Sequence, residues 1–269
     1  MAPKGLAILI GAGPNTGAGI ARILSSPTHG NLALALLARR PEPLQSLTTS
    51  LRTSSPTSVI EAFPTDTSPS SLTRTFSEIR SHPSFKGLKL SLAIYSIKHS
   101  SKKPFMQETY DEFMESLTTY VGGAFTFAQL SLERFFKDHG EEGLSNTDGT
   151  NGGKKGTLIF TGTLGALRCS AEFAAYGAGR AGVRQLAQSL AREMSGKGVH
   201  VVHTIANGGI RDEKGEGLSE EERKEEQGKA EEGKRMSAES VGRTYLWLHE
   251  QPVDLWTHEL DLRPAQEKF

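Results

Sequence analysis

The sequence predicts an α/β fold: a single domain, residues 1–269, on a doubly wound parallel sheet of about seven strands. Three observations carry that expectation. Short apolar runs such as Leu6-Ala7-Ile8-Leu9-Ile10 and Leu32-Ala33-Leu34-Ala35-Leu36-Leu37 lack the alternation of a half-exposed strand, so they read as strands buried on both faces. Stretches with helical spacing separate these runs, the alternation of a parallel sheet with crossover helices. The first run also passes directly through a glycine-rich turn, Gly11 to Gly19, into the helical segment Ile20-Ala21-Arg22-Ile23-Leu24. A chain of 269 residues is long enough to bury a full core of this kind.

Composition narrows the partners. The 31 Lys and Arg residues balance the 31 Asp and Glu residues, so neither nucleic acid nor an anionic membrane surface is implied. Cys169 is the only cysteine, which excludes an internal disulfide and fits a reducing compartment; it reads as structural. No basic-then-apolar signal opens the chain, and no run approaches the roughly 18 apolar residues of a membrane span. A cytoplasmic protein acting on a small molecule is expected. His29, His82, His99, His200, His203 and His249 show no metal-ligand spacing, and no metal is expected. His200 and His203 flank a strand and read as core.

The glycine-rich turn is the first candidate site. A strand that turns tightly into a helix brings backbone close to a bound pyrophosphate, and the helix N-terminus offers free N–H groups and a positive dipole end to it. Gly13, Asn15, Thr16, Gly17, Gly19 and Ile20 are the residues assigned to that contact. The second strand ends at Ala38-Arg39-Arg40, where an acidic residue would select NAD. An arginine there matches a 2′-phosphate, so Arg39 and Arg40 predict NADP(H).

The rest of the chain continues the alternation. Thr48 to Ser58 is polar and spans a helix end and a loop; Val59 to Phe63 is a third strand leading to Asp66. By itself Asp66 reads as a turn or helix-capping aspartate. Leu90 to Ile97 is the fourth strand, and Phe113 to Phe136 reads as one long helix. His139 to Lys155 has the composition of a flexible surface insertion. Thr157 to Phe160 is a fifth strand, followed by a helix from about Phe173, and Val199 to Ile205 is a sixth. The segment 211–235 is almost all Glu, Lys, Arg and Gly, and reads as a solvated helix or a disordered lid. Ser237 to Leu248 returns to helical periodicity, and Trp256 to Pro264 alternates as an edge strand would.

Chemistry concentrates after the fifth strand. Tyr176 and Arg180 are four apart, on one face of the helix, and Thr163 lies at the strand's exit. A hydroxyl, a phenol and a fixed cation can converge there. Together with Gly13-x-x-x-Gly17-x-Gly19, this resembles the short-chain dehydrogenase/reductase family, whose Rossmann-like domain carries Ser followed by Tyr-x-x-x-Lys. Here the Ser is Thr163 and the Lys is Arg180. The family's Asn-Asn-Ala-Gly is Tyr95-Ser96-Ile97-Lys98, its helical Asn is Tyr120, and its Pro-Gly-x-Val-x-Thr is Asn207-Gly208-Gly209-Ile210-Arg211-Asp212.

The resemblance implies roles. Tyr176 would protonate a carbonyl oxygen as NADPH delivers hydride, Thr163 would steady the oxyanion, and Arg180 would be the cation beside the phenol. Ser96, Tyr176, Arg180 and Ile210 would join the cofactor contacts, with Asp66 at the adenine. The family also implies a homo-oligomer, a dimer or a tetramer. The expected function is reduction of a carbonyl or imine on a small organic molecule. The alternatives are a non-redox isomerase, dehydratase or cyclase on the same scaffold that binds NADP(H) without turning it over, and a cofactor-sensing regulatory protein. Altered Asn, Lys and Pro-Gly-Thr positions favour the non-redox alternative; the glycine loop, Arg39 and Tyr176 favour the reductase.

Overall fold

The protein is described here by a computed structural model covering residues 2–99, 102–144, 153–215 and 218–267. Strand β1 (Leu6–Ile10) runs into α1 (Thr16–Ser25), and β2 (Ala33–Ala38) into α2 (Pro41–Ser54). After β3 (Ile60–Pro64) come α3 (Pro69–Ser81), β4 (Leu90–Tyr95), α4 (Tyr110–Leu117) and α5 (Gly123–His139). Then follow β5 (Gly156–Gly162), α6 (Ala174–Met194) and β6 (Val199–Ala206). The chain finishes with β7 (Ile210–Arg211), α7 (Glu220–Glu231), β8 (Met236–Ser237), α8 (Ala238–Glu250) and β9 (Glu259–Leu262).

Seven strands form one sheet in the order β3-β2-β1-β4-β5-β6-β9, with every neighbouring pair parallel. The apolar runs follow from this arrangement: all five residues of β1 and all eight of β6 are buried, because helices cover both faces. On one face Phe127, Phe135 and Val183 pack against Leu158 and Phe160; on the other Ile20, Leu24, Val241 and Tyr245 pack against Leu9 and Ile159. The outermost β9 alternates between exposed and half-buried positions, the pattern of an edge strand. Order reverses between β1 and β4, and in such sheets the crevice at the carboxyl ends of the strands beside that switch point is where ligands bind.

Gly19 makes that crevice's supporting wall possible. A Cβ there would run into the backbone of Ala238, so α1 and α8 meet closely only because the residue is glycine. Gly11 sits at φ +90°, with the Ser96 carbonyl where a side chain would go, so β1 and β4 also exit in close contact.

The expected long helix Phe113 to Phe136 is two helices. A π-helical turn at Thr118–Gly122 separates α4 from α5. The buried Tyr95 hydroxyl donates to the Thr119 carbonyl at 2.5 Å, and a side chain inserted into the helical ladder is a common cause of such a break. The break turns Tyr120 toward α6, where Gly179 leaves room for its ring.

The charged stretch 211–235 contains α7, opened by a capping box between Ser219 and Glu222. Its charges find internal partners: Glu226 accepts from Arg235 (2.6 Å) and Lys229 (3.1 Å), and Met236–Ser237 pairs in parallel with Ile210–Arg211. The expected insertion at 139–155 lies partly outside the described residues. Its described end is anchored, since Lys154 Nζ donates to the carbonyls of His249 and Gln251. No helix among the described residues is long and apolar enough to cross a membrane.

Candidate active site

A cleft of about 580 Å³ opens at the carboxyl ends of β1, β4, β5 and β6. It brings together Gly13, Asn15, Thr16, Gly17, Ser96, Thr163, Tyr176, Arg180 and Ile210 of the residues expected from sequence.

The reactive end forms where β5 gives way to α6. Thr163 follows β5 in extended conformation, and Tyr176 rises from the first turn of α6, so their hydroxyls meet at 2.6 Å. Phe173 packs edge-on to the Tyr176 ring from one side (centroids 5.7 Å) and Tyr120 from another (6.1 Å), fixing the phenol with little freedom. One turn further along α6, Arg180 is buried, with 5% of its surface exposed. Its two terminal nitrogens donate to backbone carbonyls, Thr161 at 2.8 Å and Ile97 at 3.1 Å. The guanidinium therefore staples the end of β5 to the chain leaving β4.

A buried cation needs compensation beyond these two bonds, because its Nε has no hydrogen-bond acceptor among the described residues. Two ring faces supply it: the guanidinium carbon lies 4.3 Å from the Tyr120 centroid and 5.3 Å from that of Tyr176. Tyr120 in turn is almost fully buried, and its hydroxyl accepts from the His99 amide at 2.9 Å. Burial raises the Tyr120 phenol above its ordinary value despite the opposing charge of Arg180, so it stays neutral. The planar guanidinium thus lies on the Tyr120 ring.

The glycine-rich end fits a phosphate. A Cβ on Gly13 would meet only the Gly11 carbonyl, at 3.9 Å, so the missing side chain leaves a cradle open to the cleft. No side chain caps α1 and no acidic residue sits in its first turn. Among the described residues, no Asp or Glu lines the cleft. These features suit the pyrophosphate of a dinucleotide.

The remaining expected residues lie elsewhere. Gly19 and Ile20 are in the α1–α8 packing and do not line the cleft. Arg39 and Arg40 are exposed at the exit of β2, with no ion pair among the described residues, and Arg40 is the residue before α2. Asp66 is exposed; its Oδ1 accepts from the Ser68 amide (2.8 Å) and hydroxyl (2.6 Å), which hold its carboxyl below the usual carboxylate range. That is the turn role, with Ser68 capping α3. Asp212 points to α1, where both its oxygens accept from Arg22 at 2.9 Å. It ties the segment after β6 to the glycine loop's own helix and, at 2% exposure, is not free to meet a ligand.

Three features were not visible as site residues in the sequence. Asn207 accepts from the Leu164 amide (3.3 Å) and donates to Glu267, joining the β5 exit to the C-terminal tail. Lys98 and Arg168 line the cleft without an ion pair among the described residues. Cys169, read as structural, is exposed and lines the cleft mouth; its thiol donates to the Gly165 carbonyl at 3.5 Å. Its loop bulges outward ahead of α6, which no sequence period could reveal.

The family model described as enoyl-(acyl carrier protein) reductase matches residues 15–257. Among solved structures, a short-chain dehydrogenase from Rhodopseudomonas palustris is similar, with a TM-score of 0.73 and 22% identity, covering 98% of this chain and 100% of that one. An alcohol dehydrogenase from the archaeon Thermococcus sibiricus, complexed with 5-hydroxy-NADP, gives 0.73 at 15% identity over 98% of each chain. A metagenomic short-chain oxidoreductase in complex with NADP gives 0.73 at 16% identity, covering 98% of this chain and 99% of that one. No curated protein matches.

Proposed function

Because the chain belongs to the short-chain dehydrogenase/reductase family, we propose that it is an NADPH-dependent reductase of a carbonyl, or an imine, on a small organic molecule. The observation that carries the reading is the 2.6 Å contact between the Thr163 and Tyr176 hydroxyls, in a cleft that continues to the phosphate cradle at Gly13. The bound dinucleotide would supply the hydride. Tyr176 would give its phenolic proton to the substrate oxygen, and Thr163 would donate to the same oxygen as charge develops there. The Arg180 guanidinium lies beside the Tyr176 ring, 5.3 Å from its centroid, and its staple holds the strand ends that aim both hydroxyls. Arg180 is thus a positioning cation here.

The phosphate would lie on Gly13, Asn15, Thr16 and Gly17, with Ser96 and Ile210 along the nicotinamide half. Arg39 and Arg40, exposed and without an ion pair among the described residues, suit the 2′-phosphate of NADP(H); one of the similar structures is in complex with NADP and another with 5-hydroxy-NADP. NADPH should therefore bind tenfold or more tighter than NADH, about 1.4 kcal/mol, with the advantage lost in Arg39→Ala. Fluorescence titrations of both nucleotides check this, and equal affinities in the unaltered protein would remove the NADP preference.

One observation favours the second reading, a non-redox isomerase, dehydratase or cyclase. Arg180 commits both terminal nitrogens to carbonyls, where the family's lysine would reach the cofactor ribose. Stoichiometry separates the two: a reductase oxidises one NADPH per product, whereas the alternative forms product with none consumed. The exposed apolar residues Phe105, Met106, Tyr110 and Phe125 suit burial in a homo-oligomer.

A further inference from the structure

The charged lining of the cleft is of one sign. Lys98, Arg168 and Arg180 contribute three cations, and among the described residues no carboxylate lines the cleft. Arg180 is occupied by the Thr161 and Ile97 carbonyls. Lys98 and Arg168 are exposed and carry no ion pair among the described residues. Arg168 also borders the adjoining surface groove that holds Glu172, the acid nearest it in sequence, but Glu172 is paired with Lys102 at 3.4 Å and not with Arg168. Arg168 belongs to the loop between Thr163 and Tyr176, which forms a wall of the cleft apart in sequence from the glycine-rich turn assigned to the dinucleotide phosphates. The same wall carries Leu164 and Phe173, which are apolar.

We propose that the substrate carries a carboxylate as well as its reducible carbonyl, and that Arg168 is the specificity residue that pairs with that carboxylate, with Lys98 adding to the favourable field. The proposal rests on the reductase reading for the carbonyl but concerns a separate group. A guanidinium fork matches a carboxylate with two parallel hydrogen bonds. The single cleft must also hold the nicotinamide end of the cofactor, so a small oxo-acid with an apolar or aromatic body is the class that fits. When it is reduced, hydride adds to the carbonyl carbon and the Tyr176 proton to its oxygen, giving the hydroxy acid; the carboxylate is unchanged.

The test uses 4-formylbenzoate and its methyl ester, which differ chiefly in charge. Binding of each is measured by calorimetry in the full chain with NADP⁺ present, and NADPH oxidation is followed separately. The acid should bind about tenfold tighter than the ester, the scale of one charge-assisted pair. In Arg168→Gln the acid-to-ester ratio should fall to about one, and Arg168→Lys should keep part of it, as a charge rather than a shape effect. No binding, equal binding of acid and ester, or an advantage unchanged in Arg168→Gln overturns the proposal. If the acid is preferred through Arg168 but NADPH is not consumed, the carboxylate site stands and the reductase reading fails.

Discussion

Tyr176→Phe should lower the rate of NADPH-dependent reduction by about 10²-fold or more while NADPH still binds. The substitution removes one oxygen and keeps the ring that packs between Phe173 and Tyr120, so the cleft's shape survives. What is lost is the proton that the hydroxyl holds 2.6 Å from Thr163. Phe at this position leaves the developing alkoxide with the Thr163 hydroxyl alone, which donates without giving up its proton. The measurement is single-turnover oxidation of bound NADPH in the two proteins, with nucleotide affinity measured alongside. Arg180→Met tests the second part of the argument. It removes the staple between β5 and the β4 exit together with the charge, so activity should fall and the melting temperature should drop as well. Arg180→Lys keeps the charge but cannot reach both carbonyls with a planar fork, so it should retain measurable activity at lower stability. Unchanged turnover in Tyr176→Phe, with product forming and NADPH untouched, would replace the reductase by the non-redox reading.

The architecture was legible because strands buried on both faces leave an unmistakable trace: β1 and β2 are uninterrupted apolar runs, and the glycines at the β1 exit appear where backbone must pass closely. The break at Thr118–Gly122 was not legible, because it depends on the Tyr95 hydroxyl reaching across from β4. Thr163, Tyr176 and Arg180 could be singled out from spacing, since a helix face is a local property. The partner of Arg180 could not: Tyr120 comes from another helical segment, and only the tertiary fold lays the guanidinium on its ring. Asp212 is a similar case. In sequence it stands where a cofactor contact belongs, and the fold turns it onto Arg22 instead. Arg168 and Lys98 were indistinguishable in sequence from solvated surface cations; their shared cleft, which no carboxylate lines among the described residues, sets them apart.

A second large effect concerns stability. His200 and His203 lie in β6 with none of their surface exposed, and His249 ends α8. Burial holds all three below the ordinary value, His200 and His203 at about 4 and His249 at about 3. At His200 the Thr257 carbonyl, 2.8 Å from Nε2, pulls the other way, whereas Lys154 reinforces the lowering at both His200 and His249. His203 has the Glu259 carboxylate at 3.4 Å, which pulls the other way, yet Arg184 engages that carboxylate at 2.6 Å and burial prevails. Native histidines that stay neutral while unfolded ones protonate near pH 6.5 mean that the unfolded chain binds more protons below that pH. Stability is thus full above about pH 6.5 and falls as pH drops toward 4, the reverse of a histidine held charged by a partner. Each group costs about 1.4 kcal/mol per pH unit in that window, so three groups cost about 6 kcal/mol at pH 5. Domains of this kind have about 5–15 kcal/mol in total, so the folded state should become marginal near pH 5, before most carboxylates titrate. Urea unfolding at pH 7, 6 and 5 would show it, and His249→Gln should reduce the pH slope by about one proton. A free energy of unfolding that stays flat between pH 7 and pH 5 would mean that these histidines are solvated or charged in the folded protein.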